Sequence, residues 1–186
     1  MNFKAAYMVL IWLIQTNSIS AENLLYFEQN DYVVKYHHIH VDFSDPGFVE
    51  FFELKNVKPN RTYKAFSARF HLLTDIEDNK NFKTNVKAFR LRTNSVEHLL
   101  FQFNIDVCQC LRKNTFGMGQ VLSAGNITTC PIKKGYYYAK NFIMDDRRMP
   151  PHVPGGNYKI LITLMKDKIT LTITSLYIDV IYKLKH

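Results

Sequence analysis

The sequence lacks the motifs of the common enzyme classes. It contains no Gly-x-Ser-x-Gly elbow, no His-Glu-x-x-His and no glycine-rich phosphate-binding loop. It has no internal repeat and no low-complexity segment. After residue 20, no apolar run approaches the about 20 residues that a membrane-spanning helix needs. These absences predict a non-catalytic protein with no cofactor and no transmembrane segment.

The first residues are typical of a secretory signal peptide. Lys4 supplies the positive charge, Ala5 to Ile14 form an uncharged apolar run, and a polar stretch with small residues follows. Ser18 and Ser20 fit the small-x-small cleavage rule, so we expect cleavage after Ser20, with Ala21 as the alternative. The sequence thus predicts a signal peptide over residues 1–20 and a secreted, extracellular single domain over residues 21–186.

The formal net charge of the chain is +8, and its basic residues are dispersed along the sequence. Nucleic-acid binding would place such residues on one face, and an exported protein rarely meets nucleic acid, so we expect no nucleic-acid partner. Anionic headgroups, glycans or a receptor surface suit an extracellular basic protein better. A basic surface that only contacts solvent explains the same composition.

The hydrophobic pattern has a period of two residues, which favours β-strands. In "AFSARFHLL" and "HLLFQFNIDV" apolar and polar residues alternate, and "YKILITLM" and "ITLTITSLYIDVIY" flank a turn at 166–168. In "NFKTNVKAFRLR" the apolar face changes after Ala88, which indicates a bulge. Asp106 is a candidate N-cap for one helix within residues 107–124. The pattern predicts an all-β antiparallel β-sandwich, immunoglobulin-like or an open cup, with one short helix.

Polar and cysteine residues define several candidate sites. Asn60 and Asn126 begin Asn-x-Thr sequons, and both are predicted glycosylation sites in an exported chain. The histidines of "YHHIH" lack a carboxylate or cysteine at metal-ligand spacing, so we predict an exposed strand and no metal site. Exported cysteines usually form disulfides, and Cys130 could pair with Cys108 or with Cys110. Physical chemistry alone does not separate these two partners.

Three stretches of the sequence carry a resemblance to a known family: "FNIDVCQCL", "GNITTCPIKKGYYYAKNF" and "PPHVPGGNYKI". In this order and spacing they resemble a large insect family of small secreted proteins that includes the chemosensory CheA and CheB proteins. That family is similar to the lipid-recognition β-sandwich proteins, of which the ganglioside activator is the best-known type. The resemblance covers about residues 60–182.

The resemblance implies a disulfide between Cys108 and Cys130. The family pattern Asp-x-Cys-x-(aromatic)-Leu maps onto Asp106, Cys108 and Leu111, and the second shared cysteine maps onto Cys130, before Pro131. Cys110 stands where the family has an aromatic residue. We expect it to be a buried apolar filler, and its presence leaves dimerisation open.

The alternating aromatic and aliphatic residues either fill a core or line a pocket, and the resemblance favours the pocket. The predicted function is non-covalent binding of a lipid, fatty-acid derivative or cuticular hydrocarbon, in chemosensation or pheromone detection. The alternative is a secreted protein-interaction module or receptor accessory subunit with a filled core, in which the basic surface and the loop "DDRRMPPHVPGGNY" contact a partner. Tyr136, Tyr158 and Ile160 are further inward candidates. The predicted ligand-binding residues are Phe66, Phe70, Phe101, Phe103, Tyr138, Phe142 and Ile162.

Overall fold

Two antiparallel sheets face each other in the computed structural model, which describes residues 28–58, 64–77, 82–92, 97–128 and 130–183. The predicted signal peptide, residues 1–20, and Asn60 lie outside the described residues. The strands are β1 Tyr32–Ser44, β2 Val49–Val57, β3 Ala65–Leu72, β4 Phe82–Leu91, β5 Glu97–Asp106, β6 Gly135–Phe142, β7 Gly156–Lys166 and β8 Ile169–Tyr182. The helices are α1 Val107–Arg112 and α2 Gln120–Ser123, with 3-10 turns at Thr115–Gly117 and Asp146–Arg148.

The larger sheet has the strand order β1-β8-β7-β4-β5, and the smaller sheet has the order β2-β3-β6. Every pairing is antiparallel, and the predicted C-terminal hairpin is present as β7 and β8. The predicted all-β antiparallel sandwich is confirmed. It arises because residues of alternating polarity give each strand one apolar face, and the two apolar faces bury each other.

The strand ends show how the sandwich is closed. β1 passes from the larger sheet to β2 of the smaller sheet through the short turn Asp45–Phe48, where Phe48 N and Val49 N both donate to the Asp45 carbonyl. At the same end of the strands but at the opposite edge of the larger sheet, the segment between β5 and β6 contains α1 and α2 and bridges the two sheets. One sandwich edge is therefore joined by a tight turn and the other by a helical segment.

Helix α1 begins where the sequence predicts a helix start. The side chain of Asp106 accepts a hydrogen bond from Gln109 N at 2.7 Å, as an N-cap residue does. The helical region is broken, because Asn114 and Phe116 have positive φ angles of 51° and 55°. The predicted single helix is instead two short helices joined by a 3-10 turn.

The predicted irregularity after Ala88 is present. The β4–β5 register shifts between Ala88, which pairs with Phe101, and Phe89, which pairs with Leu99. The extra residue is Leu100 in β5, since β4 pairs with β7 without interruption. The bulge leaves Leu99 and Leu100 exposed, while Phe101 faces the interior.

Among the described residues, none of the helices has the length and apolar character required to span a membrane.

Candidate functional site: an apolar cavity between the sheets

A cavity of about 360 Å³ lies between the two sheets. The larger sheet supplies one wall, which includes Val86, Phe101, Phe103 and Ile162, and the smaller sheet supplies the facing wall, which includes Phe70. Many of these side chains are only half-buried, because part of each faces open space instead of another side chain. Protein interiors normally contain few voids larger than a water molecule, so this space is unusual for a domain of this size.

The alternation along the strands predicted part of the cavity wall. Six of the seven predicted ligand-binding residues line the cavity, as do Tyr158 and Ile160. Those on β3, β5 and β7 alternate with residues that point away from the cavity, as the two-residue period requires, whereas Phe142 lies on the irregular strand β6. That a ligand contacts them is still a prediction. The six are Phe66, Phe70, Phe101, Phe103, Phe142 and Ile162.

Tyr138 is not part of the cavity wall, and its predicted orientation is wrong. It lies on the outer face of the smaller sheet and is 44% exposed, and Tyr136 is 64% exposed. The cause is an extra residue in β6: Phe66 pairs with Phe142, but Ala68 pairs with Ala139. Asn141, at φ 54°, lies within this irregularity. An extra residue reverses the alternation, so Tyr138 and Phe142 point to opposite faces.

The helical segment contributes cavity residues that the alternation could not identify. Leu111, Phe116, Met118 and Val121 line the cavity. The ring of Phe116 stacks on that of Phe103 with centroids 5.3 Å apart, and Phe103 stacks on Phe101 at 5.6 Å. Phe116 reaches this position from a left-handed backbone conformation, which no periodic pattern indicates.

The loop before β7 forms one boundary of the cavity. Met149, Pro150 and Val153 line the cavity. The loop is held in place by hydrogen bonds to its carbonyl groups. Tyr32 Oη donates to Pro150 O at 2.5 Å, and Tyr158 Oη donates to Pro154 O at 2.6 Å.

The cavity wall is nearly free of charge. Among the described lining residues there is no lysine, arginine, histidine, aspartate or glutamate, and the polar side chains are threonines, tyrosines and Cys110. Burial raises the pKa of the Tyr36 hydroxyl, and the carboxylate of Asp146 raises it further. Tyr36 therefore stays protonated and can only be a neutral donor or acceptor. Such a wall suits an uncharged apolar molecule and offers no acid, base or nucleophile of ordinary reactivity.

The disulfide predicted from the resemblance is confirmed: Cys108 is bonded to Cys130, with Cα atoms 5.6 Å apart. It ties α1, at the end of β5, to the segment that leads into β6.

Cys110 is the free cysteine of the chain. Its thiol donates to Thr115 O at 3.5 Å and lines the cavity. The expected buried filler is partly right: the residue is half-buried, and burial raises the pKa of its thiol to about 12.

Asn126 is exposed, and its amide side chain is hydrogen-bonded to the edge strand β6. Nδ2 donates to Tyr136 O at 2.8 Å, and Oδ1 accepts from Tyr138 N at 2.9 Å. Gly125 allows this approach, because a Cβ there would overlap the Tyr138 carbonyl. A glycan on Nδ2 would replace one of its two N–H groups, so glycosylation at Asn126 is compatible with this contact and stays a prediction.

Two of the three histidines of β1 contact side chains of β8. His37 Nε2 lies 2.6 Å from Asp179 Oδ2 on β8, and the His38 ring stacks on Tyr177 with centroids 4.1 Å apart. Within the described part of the chain, no group of three or more histidine, cysteine, aspartate or glutamate side chains is placed to hold a metal ion.

Comparison with known proteins adds little about function. No curated protein sequence matches this chain. The structure is similar to a crystal structure of a Niemann-Pick type C2 protein from the Japanese carpenter ant, with a TM-score of 0.29 and 15% identity over 82% of this chain and 96% of that chain. A likeness at this level does not define a shared function. Residues 81–160 match the model of a family described as "Protein of unknown function (DUF1091)". The expected similarity to CheA and CheB proteins stays a prediction.

Proposed function

We propose that this protein binds a hydrophobic molecule non-covalently in the cavity between its sheets and carries or presents it without chemical change. The observation that supports this proposal is the cavity itself, about 360 Å³ in volume with an almost entirely apolar wall. Small-molecule sites have volumes of about 300–1,000 Å³ and apolar walls with few polar groups.

An empty apolar space of this volume lowers stability. Side chains that border unfilled core volume lack partner atoms on one side, and stability falls as that volume grows. Water compensates poorly, because a buried water needs about three polar partners and this wall has few. A bound apolar chain restores the missing contacts, and each buried methylene contributes about 0.8 kcal/mol before ordering costs.

The ligand class expected from the resemblance is a lipid, a fatty-acid derivative or a cuticular hydrocarbon. Secretion, glycosylation and a role in chemosensation or pheromone detection belong to this proposal as well. They depend on the N-terminal segment, the sequons and the family resemblance. The proposal includes no catalytic step, since the polar groups of the cavity wall are neutral at physiological pH.

A matched pair of variants tests the proposal. Val86 and Lys87 are neighbours on β4; Val86 faces the cavity, whereas Lys87 is not among the lining residues. Val86→Trp should occupy part of the cavity, and Lys87→Trp adds the same ring outside it. We expect saturable uptake of a solvatochromic apolar probe by the wild-type protein and Lys87→Trp, and at least about tenfold weaker uptake by Val86→Trp. Absence of saturable uptake by the wild type would reject the proposal.

The second candidate function is a protein-interaction module, which the outer face of the smaller sheet favours. On this face Tyr136 stacks on His71 with centroids 3.8 Å apart, and Arg69 forms a two-point ion pair with Glu53 at 2.8 and 2.9 Å. Exposed tyrosine and arginine are enriched at protein interfaces. A receptor or other secreted protein is the expected partner. Reduced partner binding by Tyr136→Ala, with probe uptake unchanged, would support this function beside ligand binding.

A further inference from the structure

The hydroxyl of Tyr36 is an unusual group in the cavity wall. Tyr36 lies on β1, is 7% exposed, and packs edge-to-face on Phe66 with ring centroids 5.2 Å apart. Its ring lines the cavity, and its hydroxyl is buried with no hydrogen-bond partner among the described residues. Buried polar groups in native proteins nearly always have a partner, so this hydroxyl needs an explanation.

The other two tyrosines of the wall differ from Tyr36. Tyr32 and Tyr158 also line the cavity, but their hydroxyls donate to backbone carbonyls of the loop before β7. The fold thus gives a partner to two of the three tyrosine hydroxyls in this part of the wall, and the hydroxyl of Tyr36 has none among the described residues. Phenylalanine at position 36 would give the same ring packing without an unpaired polar group, so the hydroxyl contributes nothing to the ligand-free fold.

The charges near Tyr36 limit what this hydroxyl can bind. The nearby charged groups that act on it are the carboxylates of Asp146 and Asp145, and Asp146 Oδ2 accepts from the backbone N–H of Val34, two residues before Tyr36. Asp145 is paired with Arg147 at 2.9 Å. No cationic side chain lines the cavity within the described residues. A buried anionic headgroup would lose its hydration and find no counter-ion, which is strongly unfavourable.

We propose that Tyr36 donates a hydrogen bond to a neutral oxygen of the bound molecule, such as the carbonyl of an ester or ketone or the oxygen of an alcohol. This inference rests on the proposed function and specifies the ligand class of the same cavity. The preferred ligands are long-chain molecules with one uncharged oxygen function. Plain alkanes lack the acceptor, and ionised fatty acids carry a charge that the wall cannot neutralise.

The test compares three probes of equal chain length: dodecane, methyl dodecanoate and dodecanoate at a pH where its carboxyl group is ionised. Each displaces an environment-sensitive apolar dye from the wild-type protein, from Tyr36→Phe and from Tyr137→Phe. Tyr137 is the matched control, because its hydroxyl donates to Lys133 O and its ring does not line the cavity. We expect the ester-to-alkane affinity ratio to fall by roughly fivefold in Tyr36→Phe only.

The outcomes separate this inference from the proposed function. Binding of dodecane with an ester-to-alkane ratio that Tyr36→Phe leaves unchanged would overturn the inference and keep the hydrophobic ligand. Binding of none of the three probes would reject the proposed function too. If dodecanoate binds the wild-type protein as tightly as the ester does, that result also overturns the inference, independently of the results for the variants. The melting temperature of ligand-free Tyr36→Phe should equal or exceed that of the wild type, since no hydrogen bond is lost.

Discussion

The disulfide end of the sandwich and its middle contain the same kinds of side chain, but these side chains are packed more tightly at the disulfide end. At the disulfide end, Phe82 is 1% exposed and packs against Phe48 with ring centroids 6.2 Å apart. In the middle, Phe101 and Phe103 stack on each other, yet each has one side open to the cavity. Whether a phenylalanine on an alternating strand belongs to the packed core or to the cavity wall therefore depends on the residues opposite it. The pattern of the strand itself does not show this.

The backbone explains why one end is closed. β1 crosses to β2 through the tight turn at Asp45–Phe48, and the bond between Cys108 and Cys130 fixes the helical segment at the same end. There the connections hold the two sheets together. In the middle, side chains of both sheets, among them Phe70 and Phe101, border the cavity.

The largest expected difference between the two regions is the cost of removing a ring. Phe82→Ala should lower the free energy of unfolding by about 4 kcal/mol, because it creates a new void in a packed region. Phe103→Ala should cost about 2 kcal/mol or less, because part of the ring already faces empty space. Urea unfolding of both variants measures the difference. Equal costs would mean that the middle of the sandwich is packed.

Removal of the disulfide should weaken the closed end. The double substitution Cys108→Ala with Cys130→Ala opens a loop with a sequence separation of 22, and we expect a loss of about 3 kcal/mol. Changing both residues prevents Cys110 from pairing with a remaining partner. Urea unfolding under non-reducing conditions is the measurement, and a loss below about 1 kcal/mol would contradict the assigned role.

A substitution at the outer edge of the smaller sheet should lower the free energy of unfolding by less. Asn126→Gln should lower the free energy of unfolding by about 1 kcal/mol, because the longer side chain misplaces the bonds to Tyr136 O and Tyr138 N. Probe uptake should not change, since Asn126 does not line the cavity. Thermal unfolding and a probe titration of the same preparation check both statements, and weaker probe uptake would link this edge to the cavity.

The smallest stability effect at neutral pH is expected for Cys110→Ala, at about 0.5–1 kcal/mol. The wild-type protein should lose further stability as pH rises from about 9 to about 12, because the unfolded thiol ionises first while burial keeps the native thiol protonated. Urea unfolding across this range measures the loss. Cys110→Ala lacks that contribution, and identical pH dependence in the two proteins would contradict the buried position of the thiol.

The sequence predicted the residues of regular strands better than the positions of extra residues in irregular strands. Phe66 and Phe70 follow an uninterrupted alternation, and the structure places both at the cavity. Tyr138 was assigned to the wrong face because one extra residue in β6 reverses the alternation, and Asn141 gives no unambiguous sign of it. The bulge after Ala88 was predicted, but its extra residue lies in the partner strand β5, which a single strand's pattern cannot show.

Two further cavity features depend on tertiary structure. Phe116 lies in a segment with no strand or helix period, and its stacking on Phe103 follows from the backbone path between β5 and β6. The unpaired hydroxyl of Tyr36 follows from what surrounds it, since Tyr32 and Tyr158 have the same side chain and find partners. The sequence predicts which residue types face inward, but not the distance between the sheets or the partner of each polar atom.

The most direct test of ligand binding is the intact mass of the secreted protein, recorded under native conditions and again after denaturation. The full sequence, expressed in a secretory host, should give a native mass above the denatured mass, and the difference should be recovered as an extractable uncharged lipid. Val86→Trp should show a smaller excess than Lys87→Trp. Equal native and denatured masses, together with no saturable uptake of an added apolar probe, would contradict the hydrophobic-ligand function and favour the protein-interaction module.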